Sequence, residues 1–299
     1  MKTLADVRGV ICAMVTPFDA QNRIDHGCAR QLVDFFLARG VHGLMAGGTT
    51  GEGMLLSLEE RKALCETVVE HVAGRAPVIA HTGCIGTADT VDLTRHAASV
   101  GATAAAMIVP YFFTFDDESL FAHYVTIARA APDFPLFIYA FPGYARNDVS
   151  PGLLKRLRDA APNIAGIKST NPDLMRFQEY VAAGGEGFVP VNGVDGLVLP
   201  ALALGAVGQI SGNVNAFPEV FRGLYDAFVA GDLERARSHQ CTINRIRRML
   251  KDGLHPAYFK AALALRGVPA GRVRPPMREL TEREMVELER GMEALGFAA

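Results

Sequence analysis

The sequence predicts an α/β protein, a (β/α)8 TIM barrel with a C-terminal helical extension. Short apolar or β-branched runs alternate with helix-like segments from the start of the chain to about residue 215. There are eight such runs, and each reads as nearly continuous apolar sequence, as parallel strands do when helices cover the outer face of the sheet. A barrel of this kind takes about 250 residues. A chain of 299 therefore has length to spare for an extension.

The strand candidates are 7–15, 41–46, 77–81, 104–109, 135–139, 164–168, 187–191 and 206–210. Helical patterns fall between them at 26–39, 57–72, 88–100, 118–131, 151–160, 173–182 and 197–204. Ser57 with Glu60 three residues on makes a capping box for the second helix. Ser150 before Pro151 places proline in the first turn of another, where its missing N–H costs nothing. An open doubly wound sheet would need Gly-x-Gly-x-x-Gly after the first strand, and the sequence has none there. From Phe217 on the pattern is helical, with segments at 227–249, 255–265 and 281–295, the last two separated by Pro269 and Arg274-Pro275-Pro276. No long polar linker precedes these segments, so residues 1–225 are expected to form the barrel and 226–299 an extension packed on it.

Composition narrows the function. Hydrophobic residues make up 49% of the chain without an uninterrupted apolar run long enough to span a bilayer, which predicts a soluble protein with a large core. A formal net charge of -2 and a pI near 6.5 give no basic footprint for nucleic acid, and no basic amphipathic stretch suggests a membrane surface. Cys12, Cys28, Cys65, Cys84 and Cys241 are odd in number and never form a Cys-x-x-Cys pair, against both a disulfide framework and a zinc site. The first residues lack the features of a secretory signal, so a cytoplasmic protein acting on a small molecule is expected.

The chemistry is expected at the C-terminal ends of the strands. Lys168 ends the run Ile164-Ala165-Gly166-Ile167-Lys168. Burial disfavours the ammonium form, which is how a lysine becomes an amine nucleophile towards a carbonyl. Taken alone, it could equally be a lysine that breaks a strand and reaches solvent. Two other strand ends support the reactive reading. The second opens into Gly47-Gly48-Thr49-Thr50-Gly51-Glu52-Gly53, where small residues admit a ligand and the threonines offer hydroxyls and amides to a carboxylate. The fifth ends in Tyr139, a phenol able to carry protons. Strand four runs into Pro110-Tyr111-Phe112-Phe113, whose last two rings suit packing or a subunit contact. His81 reads as a core or substrate-contacting imidazole rather than a metal ligand, Glu52 as structural, and Asp195 as a helix cap. Lys2, Lys62, Lys155, Lys251 and Lys260 lie at the N-terminus or in helices and do not rival Lys168.

Together these residues resemble the dihydrodipicolinate synthase and N-acetylneuraminate lyase superfamily of pyruvate-dependent class I aldolases. The resemblance runs through Val15-Thr16-Pro17-Phe18, Gly47 to Glu52, Val109-Pro110-Tyr111, Tyr139 with Pro142, Gly166-Ile167-Lys168 and Arg274-Pro275-Pro276. It implies that Lys168 forms an imine with a 2-keto acid, usually pyruvate, that Tyr139 relays protons with help from Thr49, and that Thr50 and Gly48 hold the keto-acid carboxylate. Gly208 and Ile210 would line the pocket. Members need no metal and no organic cofactor, and are commonly homotetramers built as dimers of dimers.

Two departures bear on the substrate. Dihydrodipicolinate synthases usually carry Asn-x-Pro-x-Arg-Thr-Gly after the catalytic tyrosine, the arginine gripping the aldehyde's carboxylate, whereas here Tyr144 holds that position and Arg146 follows two residues later. They also lend a second tyrosine across the dimer interface, at the place Phe112 holds without a hydroxyl. The expected function is a Schiff-base aldolase joining pyruvate and an aldehyde, closer to enzymes of 2-keto-3-deoxy sugar acids than to a true dihydrodipicolinate synthase. Dehydration of such a sugar acid through the same imine is the alternative reaction, and a non-catalytic keto-acid sensor the alternative of another kind.

Overall fold

The computed structural model describes residues 2–253 and 255–297, so Met1, and Leu254, Ala298 and Ala299 of the expected extension, lie outside the described residues. Eight parallel strands close into a barrel, β1 (Gly9–Ala13), β2 (Gly43–Ala46), β3 (Val78–His81), β4 (Ala104–Ile108), β5 (Leu136–Ala140), β6 (Ile164–Ser169), β7 (Val189–Asn192) and β8 (Gly208–Ser211). Each pairs with the next in sequence, and Gly9 opposite Gly208 closes the ring. Helices α1 (His26–Ala38), α2 (Leu58–Val72), α3 (Thr87–Ser99), α4 (Asp117–Ala130), α6 (Pro151–Ala160), α7 (Leu174–Gly184), α8 (Val198–Ala203) and α9 (Pro218–Val229) cover the outside, with a single extra turn, α5 (Pro142–Ala145), after β5.

The predicted strands are all present, their ends moved by one to a few residues. The capping box at Ser57 forms in both directions, and Ser150 caps α6 through the Leu153 amide. The expected helix over 227–249 is instead two, α9 and α10 (Leu233–Met249). Gly231 turns left-handed at φ +78° and Asp232 then caps α10 by accepting from the Arg235 amide, so the chain reverses where one helix had been expected. Residue 225 lies inside α9, the eighth barrel helix. The helices beyond it are α10, α11 (Pro256–Leu265) and α12 (Glu282–Glu293), and they share one buried apolar cluster with α1, β1 and α9.

One irregularity of the barrel sets the site. Leu136 pairs with Ile164 but Phe137 with Gly166, and that slip brings Tyr139 beside Lys168 on neighbouring strands. Gly166 makes the slip possible, because a Cβ there would lie 2.3 Å from the Phe137 ring.

Candidate active site

Lys168 sits at the C-terminal end of β6 with 6% of its surface exposed. Among the described residues the only hydrogen-bonding contact of its Nζ is the Met45 sulfur at 4.0 Å. The amine also lies 4.0 Å from the centre of the Tyr139 ring, an interaction of about 0.5–2 kcal/mol when the lysine is charged. Among the described residues the amine has no ion-pair partner.

Tyr139 is buried, and its hydroxyl is 3.5 Å from Thr49 Oγ1, the outer limit of a hydrogen bond. His81 stands edge-on to the same ring at 6.0 Å. Its pKa is held well below the ordinary value by burial first, then by Arg61 and Lys168, so it is neutral, and its Nδ1 faces Arg61 Nη2 at 3.0 Å. The Arg61 guanidinium also donates to the carbonyls of His81 and Gly83, which makes this pair the scaffold of the β3–α3 loop.

A cavity of about 120 Å3 opens on the amine. Thr49, Thr50 and Tyr139 line its inner end with Lys168, while Phe141 and Tyr144 line one flank and Thr170, Gly193, Ile210, Ser211 and Gly212 belong to its other walls. Asp195, Asn213, Asp252, Gly253 and Phe259 complete it. A larger cavity, about 540 Å3, lies at the opposite end of the strands between Leu4, Val72, Val78, Ala98 and Phe134. Its one charged lining residue, Lys2, is paired with Asp6 at 3.8 Å, so that cavity offers no carbonyl chemistry.

Several expected site residues sit elsewhere. Gly208 begins β8 and faces the neighbouring strand, where a Cβ would strike Gly9 O at 2.3 Å, and it is two residues short of the cavity that Ile210 reaches. Gly48 lies behind the threonines with its carbonyl accepting from the Gly53 amide. Arg146 ends α5 in the left-handed region at φ +65°, is exposed, and does not line the cavity, because the extra turn inserted by Pro142-Gly143 carries it outward. Tyr144 does line it, its ring stacked 4.4 Å from Phe141, which in turn stacks 5.9 Å from Tyr139. Tyr111 is half-buried outside the cavity, and burial raises its phenol pKa. Phe112, left-handed at φ +77°, and Phe113 stand 70% and 58% exposed, so neither packs in the core of this chain.

Asp195 is not the cap expected of it. Its carboxylate accepts from Gln209 Nε2 at 2.7 Å and Asn213 Nδ2 at 2.5 Å, two donors from the eighth strand and the turn beyond it. Burial pushes its pKa up to about 6, against the pull of the Ser211 hydroxyl first, then of Gln209, Lys168 and Asn213. Gly193, also overlooked, lies against the nucleophile, since a Cβ there would be 3.2 Å from Lys168 Cε. A glycine directly after an apolar strand was its only mark in the sequence. Glu52 is structural as expected, buried in an ion pair with Lys260 at 2.7 Å. Among the described residues no three His, Cys, Asp or Glu side chains are grouped to hold a metal, and no helix is long and apolar enough to cross a membrane.

A buried lysine on β6, with a tyrosine on β5 and a hydroxyl pair after β2, defines a Schiff-base lyase on a (β/α)8 barrel. The comparisons make the class specific: residues 6–295 match the model of the dihydrodipicolinate synthetase family, and the chain belongs to that family. A 4-hydroxy-tetrahydrodipicolinate synthase from Thermus thermophilus is 37% identical over 290 residues, 97% of each chain. Among solved structures, YagE of E. coli K12, a prophage protein of the dihydrodipicolinic acid synthase family in complex with pyruvate, superposes with a TM-score of 0.94 at 30% identity over 98% of this chain and 99% of its own. A catalytic lysine mutant of Ruminococcus gnavus sialic acid aldolase gives 0.94 at 29%, over 99% and 98%. The protein is a class I lyase.

Proposed function

We propose that the protein is an aldolase of 2-keto-3-deoxy sugar acids, splitting them into pyruvate and a neutral, hydroxylated aldehyde or running the reverse condensation. Lys168 Nζ adds to the ketone, and loss of water leaves a protonated imine that withdraws electrons from the adjacent carbon. That imine is the electron sink, so the proposed chemistry calls for neither a metal nor an organic cofactor. Tyr139, with Thr49 beside it, carries protons to and from the reacting oxygen, and Thr50 holds the keto-acid carboxylate. Synthesis of 4-hydroxy-tetrahydrodipicolinate is the competing assignment, favoured by the Thermus thermophilus relative.

The observation that carries the sugar-acid reading is the charge of the cavity. Beyond Lys168 its charged lining residues are Asp195 and Asp252, and Arg146, the nearby candidate for gripping an aldehyde's carboxylate, is not in it. A second carboxylate on the aldehyde would meet a like charge at Asp195, while Asp252 is paired with Arg247 at 2.9 Å and adds little. Hydroxyl groups instead find acceptors on Asp195, Ser211 and Asn213, with the Tyr144 ring on the cavity wall for the carbon chain. Dehydration remains the second reading, because a carboxyl with a pKa near 6 can hand a proton to a departing hydroxyl. The exposed pair Phe112 and Phe113 supports assembly through that edge, within a cytoplasmic homotetramer.

Intact-protein mass after borohydride reduction with pyruvate, compared with Lys168→Ala, tests the imine. Turnover of pyruvate with glyceraldehyde against an aldehyde bearing a carboxylate tests the acceptor. A preference for the charged aldehyde would refute the sugar-acid assignment, a 2-oxo product without free aldehyde would favour dehydration, and no adduct with any keto acid would leave a sensor.

A further inference from the structure

We infer that the C-terminal extension positions the two site threonines, through an ion pair in which Lys260 of α11 holds the Glu52 carboxylate and with it the turn that carries Thr49 and Thr50. The inference rests on the proposed imine chemistry at Lys168.

Glu52 adopts φ +56°, ψ +28°, a left-handed conformation that favours glycine and is strained for a side chain with a Cβ. The turn needs that conformation. The Glu52 amide donates to Thr49 O at 3.1 Å and the Gly53 amide to Gly48 O at 3.0 Å, folding the loop so tightly that a Cβ at Gly53 would lie 1.8 Å from Gly47 O. Glycine would fit position 52 with less strain. What glycine lacks is the carboxylate, and here that carboxylate is fully committed.

Glu52 Oε1 accepts from Lys260 Nζ at 2.7 Å, with their side chains 0% and 2% exposed. Its Oε2 accepts from the Arg274 amide at 2.8 Å. Lys260 also donates to Arg272 O and lies 4.6 Å over the Phe18 ring. The Arg274 guanidinium continues the tether, donating to Leu55 O at 2.9 Å and to both oxygens of Glu60 at 2.7 Å. Partners more than 200 residues along the chain thus fix both the middle and the far end of the loop. The residue before Lys260, Phe259, lines the cavity, so one helix both walls the site and sets its hydroxyls. An apolar contact would hold the loop less sharply, since a buried pair is satisfied in only a narrow range of geometries.

The test is the double variant E52Q/K260M, which removes both charges together and leaves no unpaired ion in the core. Melting temperature, borohydride trapping on Lys168 and KM for pyruvate are measured on it and on the wild type. Positioning predicts a KM raised tenfold or more, with a melting temperature close to wild type and Lys168 still trapped at saturating pyruvate. A KM within twofold of wild type in the folded variant overturns the inference. Should the double variant not fold, R274A, which spares the buried pair and cuts the second tether, is read in its place, with a three- to tenfold rise in KM expected and an unchanged KM overturning it. Absence of a wild-type adduct would sink the imine reading and this inference with it.

Discussion

Gly193→Ala perturbs the nucleophile without touching its chemistry. A Cβ at this position would lie 2.2 Å from Thr170 Oγ1, 3.1 Å from Ser169 O and 3.2 Å from Lys168 Cε. Ordinary contact begins near 3.4 Å, so Thr170 Oγ1 must give way by about 1 Å and Lys168 Cε by a few tenths. Part of that strain is relieved by rotating Thr170, whose hydroxyl has no hydrogen-bond partner to lose. Overpacking of this size costs about 1–3 kcal/mol of stability. A kinetic effect follows as well, because displacing a reacting group by about 1 Å costs on the order of 100-fold in rate, and a shift of a few tenths of an ångström at Lys168 Cε costs a part of that. The expected outcome is a roughly three- to tenfold slower appearance of the borohydride-trapped pyruvate adduct, with a melting temperature lowered by several degrees. Adding Thr170→Ala should restore much of the rate by vacating the space. Gly86→Ala, where the new Cβ would find only Asp89 Oδ2 at 3.8 Å, should change neither quantity. Trapping by Gly193→Ala at the wild-type rate would refute the account of Gly193 as the wall against which the lysine is held.

Lys168→Ala should abolish the borohydride adduct while preserving the fold, and a pyruvate adduct on the variant would place the nucleophile elsewhere. Thr49→Val should lower kcat by about 100-fold with little change in trapped adduct at saturating pyruvate, the mark of a proton-relay defect rather than a binding one. For Asp195 the pH dependence is specific. Its folded pKa, about 6, lies above the ordinary 3.8, so the fold favours the protonated form and this group's contribution to stability falls as pH rises from 3.8 to about 6. The same ionisation creates the acceptor for substrate hydroxyls, so KM for the aldehyde should rise as pH drops below about 6, and Asp195→Asn should lose that dependence. Tyr144→Arg should shift preference towards a carboxylate-bearing aldehyde by tenfold or more, measured as the ratio of kcat/KM for the two aldehydes.

What could be read from the sequence was local. Lys168, Tyr139, Thr49 and Thr50 each end or follow an apolar run, and in a parallel barrel every strand end converges on one mouth, so period and residue type together were enough to gather them. The misplacements all involve longer range. Asp195 looked like a cap because an aspartate after a strand usually precedes a helix, and the donors that turn it inward, Gln209 and Asn213, lie 14 and 18 residues further on. The family resemblance puts Gly208 in the pocket, whereas the strand carries Ile210 and Ser211 to the mouth and leaves Gly208 against Gly9. Arg146 would have reached the site from a plain loop, but Pro142-Gly143 opens a helical turn too short to show any period. Lys260 was set aside as one more helical lysine, and only the return of α11 over the loop after β2 reveals its partner.

The site contains a nucleophilic amine and a carboxylate in one cavity, an arrangement that would normally end in an ion pair. An ion pair would hold Lys168 as ammonium and remove the lone pair it needs. Here the carboxylate is occupied first. Gln209 and Asn213 donate to separate oxygens of Asp195, so the charge is solvated by amides and has less to gain from the lysine. The lysine meanwhile rests between a thioether and a ring face, neither of which is an ionic partner. Under the proposed function the Gln209 and Asn213 amides therefore do two things at once: they hold the Asp195 carboxylate as an acceptor for substrate hydroxyls, and they keep it from claiming the Lys168 amine as an ion-pair partner.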